Sequence, residues 1–239
     1  RKNIFTSINS KFITPKAGQN LKLLWMHCAS LGEFEQGRPL LEELKMTNKE
    51  LRIVLTFFSP SGYEVMKDYK GADHVFYLPM DSPVNAKRFL DILKPSLVLW
   101  VKYEYWFYYL QELYRRNIPT VLVSGIFRQN QPFFTWYGAI WRKMLGSFTH
   151  FFVQNEESKD LLKTIGFTSN VSVNGDTRFD RVLDRQAGED AFLFGLLDRL
   201  GGRAVPMEFV DEVLDLLVRL RQFGHQRMVG RQRHEAGTE

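Results

Sequence analysis

Seven short apolar runs set the tightest limit on how this chain folds. They read "LKLLWMHC" (21–28), "RIVLTF" (52–57), "HVFYL" (74–78), "SLVLWV" (96–101), "TVLVS" (120–124), "THFFV" (149–153) and "VSV" (171–173). Each has the length of a strand, and none approaches the ~18 apolar residues that a membrane-spanning helix needs. Stretches of helical period lie between them, at about 34–46, 61–69, 83–93, 105–116, 133–145 and 156–165. Strands that are apolar throughout, alternating with helices, predict an α/β fold whose parallel sheet is covered on both faces. The punctuation agrees. Ser82 precedes Pro83, Asn155 precedes "EESKDLL", and Gly166 closes that last helix.

Composition narrows the class. The 239 residues suffice for one large domain or two small ones, and 44% hydrophobic with 25% charged residues permits a sizeable core. The net charge of +5 suits an anionic partner, whether nucleic acid, nucleotide, phosphorylated lipid or membrane surface, without choosing among them. A single cysteine, Cys28, excludes an internal disulfide framework and a cysteine-based zinc site. The chain starts at Arg1 with no signal-peptide pattern. The expectation is a piece of a longer protein with an upstream anchor outside it.

The composition changes near residue 180. The last Lys is Lys163, the last Ile is Ile165 and the last Asn is Asn174, and from Arg181 onward every Lys/Arg position is Arg. This predicts a domain over 1–180 and a tail over 181–239 of separate origin. The tail reads as two helices, about 189–200 and 207–223, and a frayed end.

In parallel α/β sheets, ligands bind beyond the carboxyl ends of the strands. The residues following these strands include Ser30, Gly32 and Glu33, then Asp81, Lys102 and Glu104, then Ser124, Gly125 and Arg128. Loops are polar in any protein, but two of these stand out. In "ASLGE", Gly32 lets a ligand approach the backbone, and Glu33 starts a helix. Glu33 either complements the helix dipole, worth ~0.3–1 kcal/mol, or serves as a general base kept ionised by the helix start. In "WVKYEYWFYYL", Lys102 and Glu104 sit among Tyr103, Tyr105 and Trp106. Flat aromatics with a few fixed polar groups suit a carbohydrate; alternatively Lys102 and Glu104 pair with one another over an aromatic core.

Arg128, in "SGIFRQ", matches phosphate or carboxylate or is simply solvated. "PFFTWYGAIWRKML", with Arg142 and Lys143, either touches lipid or is an ordinary buried helix. "VNGDTRFDRV" (173–182) reads as a turn at a domain edge. His27, His74 and His150 lack metal-ligand spacing and read as structural; no phosphate-loop or G-x-G-x-x-G pattern occurs, so neither metal nor cofactor is expected.

Taken in order, "HCASLGEFEQGRPLLEEL", "LTFFSPSGYE", "YLPMDSPVNAKRFLDILKPSLVLWVKYEYW" and "VNGDTRFDRV" resemble the amino-terminal half of the Kdo (3-deoxy-D-manno-octulosonic acid) transferase family. The resemblance runs from about Arg1 to Val182, and "KYEYW" and "GIFRQNQPFF" look more like its Bacteroidetes branch than the enterobacterial one. It implies a GT-B glycosyltransferase: two Rossmann-like domains, the first binding a lipid A precursor and the second the donor CMP-Kdo. It implies inverting, metal-independent transfer in lipopolysaccharide synthesis at the cytoplasmic face of the inner membrane. The glutamate of the family's S-x-G-E motif, the proposed base, falls on Glu33; Ser30 and Gly32 match the same turn, and the family's acidic residue after the fourth strand falls on Glu104. Arg128 and Lys102 are expected to meet anionic groups of acceptor or donor. The family's Asn-x-Arg after the fifth strand is "SGIFR" here, which leaves Arg128 outside the motif.

A donor domain needs roughly 150 further residues of strand-helix alternation. Residues 183–239 do not supply them, so a chain weakly active or inactive alone is expected. The rival reading is a non-catalytic module that binds an anionic lipid or nucleotide. A nucleic-acid partner is not expected, because the arginine-rich tail also carries Glu189, Asp190, Asp198, Glu208, Asp211, Glu212 and Asp215.

Overall fold

The computed structural model describes residues 4–11, 22–48, 50–102 and 104–175. The predicted tail helices, Tyr103 and most of "VNGDTRFDRV" lie outside the described residues. Within them all seven apolar runs are strands: β1 (Leu23–Cys28), β2 (Arg52–Phe57), β3 (His74–Tyr77), β4 (Leu97–Val101), β5 (Thr120–Gly125), β6 (His150–Val153) and β7 (Val171–Val173). Every pairing is parallel, and the order is β3-β2-β1-β4-β5-β6-β7. The order therefore reverses between β1 and β4, which leaves a crevice there at the carboxyl edge.

Alternation along β1 divides the core. Leu23 and Trp25 join one buried cluster with Phe89, Trp100 and Tyr109, while Leu24, Met26 and Cys28 join another with Phe34, Leu41 and Leu44. Helices α4 (Pro83–Leu93) and α5 (Phe107–Arg115) pack on the first face, and α2 (Leu31–Thr47) and α3 (Pro60–Met66) on the second. Burying each large apolar side chain stabilises the fold by about 1.5–3 kcal/mol, which is why strands apolar on both sides cannot sit at a surface. Two predicted caps form as expected. Ser82 Oγ accepts from Asn85 N at 3.2 Å, and Asn155 Oδ1 accepts from Ser158 N at 2.9 Å at the start of α7 (Glu156–Thr164). Gly166 takes φ +97° after α7.

Three expectations need correction. Helix α2 begins at Leu31, not 34, because Ser30 is the extended residue before it (φ −138°, ψ 171°). The helix expected over 133–145 is a 3₁₀ turn (Pro132–Phe134) followed by α6 (Ala139–Leu145). Between them the Arg142 guanidinium donates to the Phe133 and Thr135 carbonyls at 2.9 and 2.8 Å, which holds those groups out of a helical ladder. Helix α1 (Ile4–Lys11), not expected, lays Ile4, Phe5 and Ile8 against the first core cluster beside edge strand β3. The Arg88 guanidinium covers the Phe5 ring at 4.3 Å.

Candidate active site

Parallel pairing brings the carboxyl ends of all seven strands to one edge, and the crevice between β1 and β4 collects the charged groups. Glu33 is the third residue of α2. Its Oε2 accepts from Ala29 N at 2.5 Å, and the Ser30 N–H also donates to the carboxyl group. This is the glutamate half of a capping box, whose S-x-x-E spacing is legible in Ser30 to Glu33. The other half is missing, since the Ser30 side chain caps nothing. Two N–H donors occupy about half of a carboxylate's roughly four acceptor sites. Capping and proton acceptance are thus compatible, and the two sequence readings of Glu33 are not alternatives.

The charge state also departs from expectation. The helix start was expected to hold Glu33 ionised, yet its pKa is raised to about 7. Burial is the largest cause. The Glu104 carboxylate adds to it, while the Ala29 and Ser30 N–H groups and the Lys102 ammonium oppose it. A carboxyl group poised near 7 is better matched to proton transfer at neutral pH than an ordinary glutamate. Gly32 beside it is exposed, and a side chain built there would meet nothing within 4 Å, so the turn is open to a ligand.

Across the crevice, Lys102 follows β4 with φ +63°, a left-handed conformation that a non-glycine residue adopts only under local constraint. Its N–H donates to Val123 O at 3.0 Å, which fixes that turn. Glu104 is held from two sides. Its Oε2 accepts from Trp106 Nε1 at 2.7 Å, and its carbonyl accepts from Trp100 Nε1. The Trp106 indole therefore holds the Glu104 carboxylate. Arg128 lies farther along the edge, exposed, in a turn closed by Gln131 Oε1 on Arg128 N at 2.9 Å. Ser30, Gly32, Glu33, Lys102 and Glu104 thus share the crevice, and Arg128 stands after β5, one strand beyond it.

Several residues that the sequence placed after a strand or read as structural take definite roles here. Asp81 serves the frame: it accepts from Tyr108 N at 3.1 Å and Tyr109 N at 3.2 Å, clamping the start of α5. Ser124 takes φ +58° where the β5–β6 register shifts, and its hydroxyl accepts from Gln154 Nε2 at 2.8 Å. No local pattern announces a bulge that depends on the neighbouring strand. His27 is fully buried and neutral, its pKa lowered by burial to about 3, with Nδ1 2.9 Å from Thr56 Oγ1. His150 behaves alike, which agrees with a structural reading of both. Among the described residues no group of three or more His, Cys, Asp or Glu side chains is placed to hold a metal ion. A groove of about 750 Å³ between α5 and α6 includes Phe107, Tyr114, Lys143 and Met144 but not Glu33.

The family model for 3-deoxy-D-manno-octulosonic-acid transferase (kdotransferase) matches residues 6–181. The chain belongs to this Kdo transferase family. It is 31% identical over 159 residues to 3-deoxy-D-manno-octulosonic acid transferase of Aquifex aeolicus, covering 65% of this chain and 41% of that one. It is 36% identical over 104 residues to the Haemophilus influenzae enzyme of the same name, covering 43% and 24%. The chain thus spans less than half the length of these relatives. Among solved structures it is similar to a UDP-N-acetylglucosamine 2-epimerase, at a TM-score of 0.51, 19% identity, and coverage of 77% of this chain and 53% of that one. The likeness is one of fold: the Rossmann-like amino-terminal domain of a GT-B architecture.

Proposed function

We propose that this Kdo transferase family member supplies the acceptor-binding half of an enzyme that transfers Kdo from CMP-Kdo to a lipid A precursor, with Glu33 as general base. The observation that carries this reading is the placement of Glu33 at the reversal of strand order, beside Lys102 and Glu104, with a pKa near 7. Glu33 takes the proton of a glucosamine hydroxyl. The freed oxygen forms a bond to C2 of Kdo from the face opposite CMP, and the bond from C2 to the phosphate oxygen breaks with its electron pair leaving on CMP. Configuration at C2 inverts. Lys102 and Arg128 are assigned to anionic groups of acceptor or donor.

The reading also places the protein at the cytoplasmic face of the inner membrane. Among the described residues no helix is long and apolar enough to cross a membrane. What supports peripheral contact is the cluster of Trp136, 91% exposed, Tyr137 and Ile140, with Lys143 one turn further along α6. Arg142, grouped with Lys143 in the sequence reading, is occupied by backbone carbonyls instead.

The test replaces the corresponding segment of the Aquifex aeolicus relative with residues 1–180 and measures Kdo transfer. The chimera is expected to transfer, and Glu33→Gln to lower the rate by about 10²–10⁴-fold. A chimera that folds and binds both substrates but is indifferent to Glu33→Gln refutes the assignment of the base.

A further inference from the structure

Trp25, His27, Trp100 and Tyr109 form a buried aromatic cluster beneath the crevice. Phe58 and Trp106 extend it upward and are half-buried. Their rings lie 4.7 Å apart at 77°. Both are tied to the charged groups of the crevice. Glu33 Oε2 accepts from Ala29 N at 2.5 Å, and Ala29 O accepts from Phe58 N at 3.3 Å. The Phe58 ring meets the Trp106 ring, and Trp106 Nε1 donates to Glu104 Oε2 at 2.7 Å. Two aromatic rings are therefore joined to the groups of the crevice, Phe58 through the Ala29 backbone that Glu33 caps and Trp106 through Glu104, with the indole orientation fixed by a carboxylate.

We infer that Phe58 and Trp106 are a stacking wall for a pyranose ring of the acceptor, and that Glu104 is a positioning residue that holds the indole. This rests on the acceptor reading above and deepens it. The apolar C–H faces of a sugar match aromatic surface, while its hydroxyl groups need fixed polar partners at the edge. The Trp106 N–H is committed to Glu104, so the wall offers the sugar aromatic surface and leaves polar recognition to Glu33 and Lys102. A fixed indole loses little freedom when a sugar settles on it, which favours binding.

The experiment follows the tryptophan indole N–H signals of the ¹⁵N-labelled 239-residue chain, with Trp106 assigned by the signal missing in Trp106→Phe. The probe is the bisphosphorylated glucosamine disaccharide without acyl chains, with inorganic phosphate in parallel. The Trp106 signal is expected to shift saturably with the disaccharide and to stay put with phosphate. Trp106→Leu is expected to weaken binding about tenfold or more, Trp106→Phe less, and Phe58→Leu serves should Trp106→Leu fail to fold. Glu104→Gln, which still accepts from the indole, should bind more tightly than Glu104→Ala, which does not. Saturable binding with Trp106 unmoved and Trp106→Leu unaffected overturns the stacking wall while leaving the acceptor reading intact. No saturable response at any signal overturns the acceptor reading and the wall together.

Discussion

At the scale of the residue, Glu33 is the position where stability and chemistry oppose one another. An acid whose folded pKa is about 7 against an ordinary 4.5 keeps its proton in the fold where the unfolded chain has lost it. Stability is therefore lost as pH rises from about 4.5 to 7 and stays low above that. Glu33→Gln cannot ionise, and its amide oxygen still accepts from Ala29 N. The variant is expected to be more stable than the parent at pH 8 by about 2–3 kcal/mol, with the difference vanishing toward pH 4.5; urea denaturation at the two pH values measures it. If Glu33 is the base as proposed, transfer by the chimera carrying residues 1–180 should rise with an apparent pKa near 7 for the same reason. The position of Glu33 at the sheet edge was legible, because a glycine and a carboxylate directly after a buried strand begin the next helix there. Its protonation was not legible. Burial, and the approach of Glu104 from a strand far along the chain, overrule the local effect of the helix start.

At the scale of the element, the strands were legible because each is apolar on both faces, and α4 and α7 because Ser82 and Asn155 announce them. α1 and α6 were obscured by tertiary causes: Ile4, Phe5 and Ile8 form a helix only against an existing core, and Arg142 breaks the aromatic run from across a turn. Two substitutions probe such dependences. Asp81 accepts from the first N–H groups of α5, and burial raises its own pKa despite those bonds. Asp81→Ala is expected to lower stability by about 1–2 kcal/mol and to speed hydrogen exchange in the first turn of α5, while Asp81→Asn retains most of both. Gly62 lies in α3, where an alanine ordinarily adds about 1 kcal/mol of helix stability. Its added Cβ would come within 2.2 Å of the buried Phe57 ring. Since Phe57 is packed against Phe34 and cannot retreat, Gly62→Ala is expected to cost about 1–3 kcal/mol, read as a lowered melting temperature.

At the scale of the whole molecule, the sheet separates a buried interior from a rim that carries the charged groups. Buried neutral His27 and His150, each with its pKa lowered to about 3, resist protonation while the unfolded chain takes up protons below about 6.5. The unfolded state then binds more protons, so stability falls as pH drops from 6.5 toward 3, opposite in sign to Glu33. In that range the two histidines oppose Glu33 and Asp81, whose pKa values burial raises, and His150→Asn should shift the slope of stability with pH downward between pH 4.5 and 6.5. The rim, in turn, has a direction. The crevice opens at the carboxyl edge, and the exposed aromatics precede and begin α6, which follows β5 at that same edge. If this side meets the membrane, the acceptor headgroup is presented to Glu33 without leaving the lipid surface. Anionic vesicles should then retain the chain in sedimentation at low salt, and less so as salt screens Lys143 and the net charge of +5. Replacing Trp136 and Ile140 together with Ser removes apolar contact but no charge, and should weaken retention about tenfold or more. Undiminished retention of the double variant would assign the contact to charge alone, and the aromatic cluster would lose its place in the membrane reading.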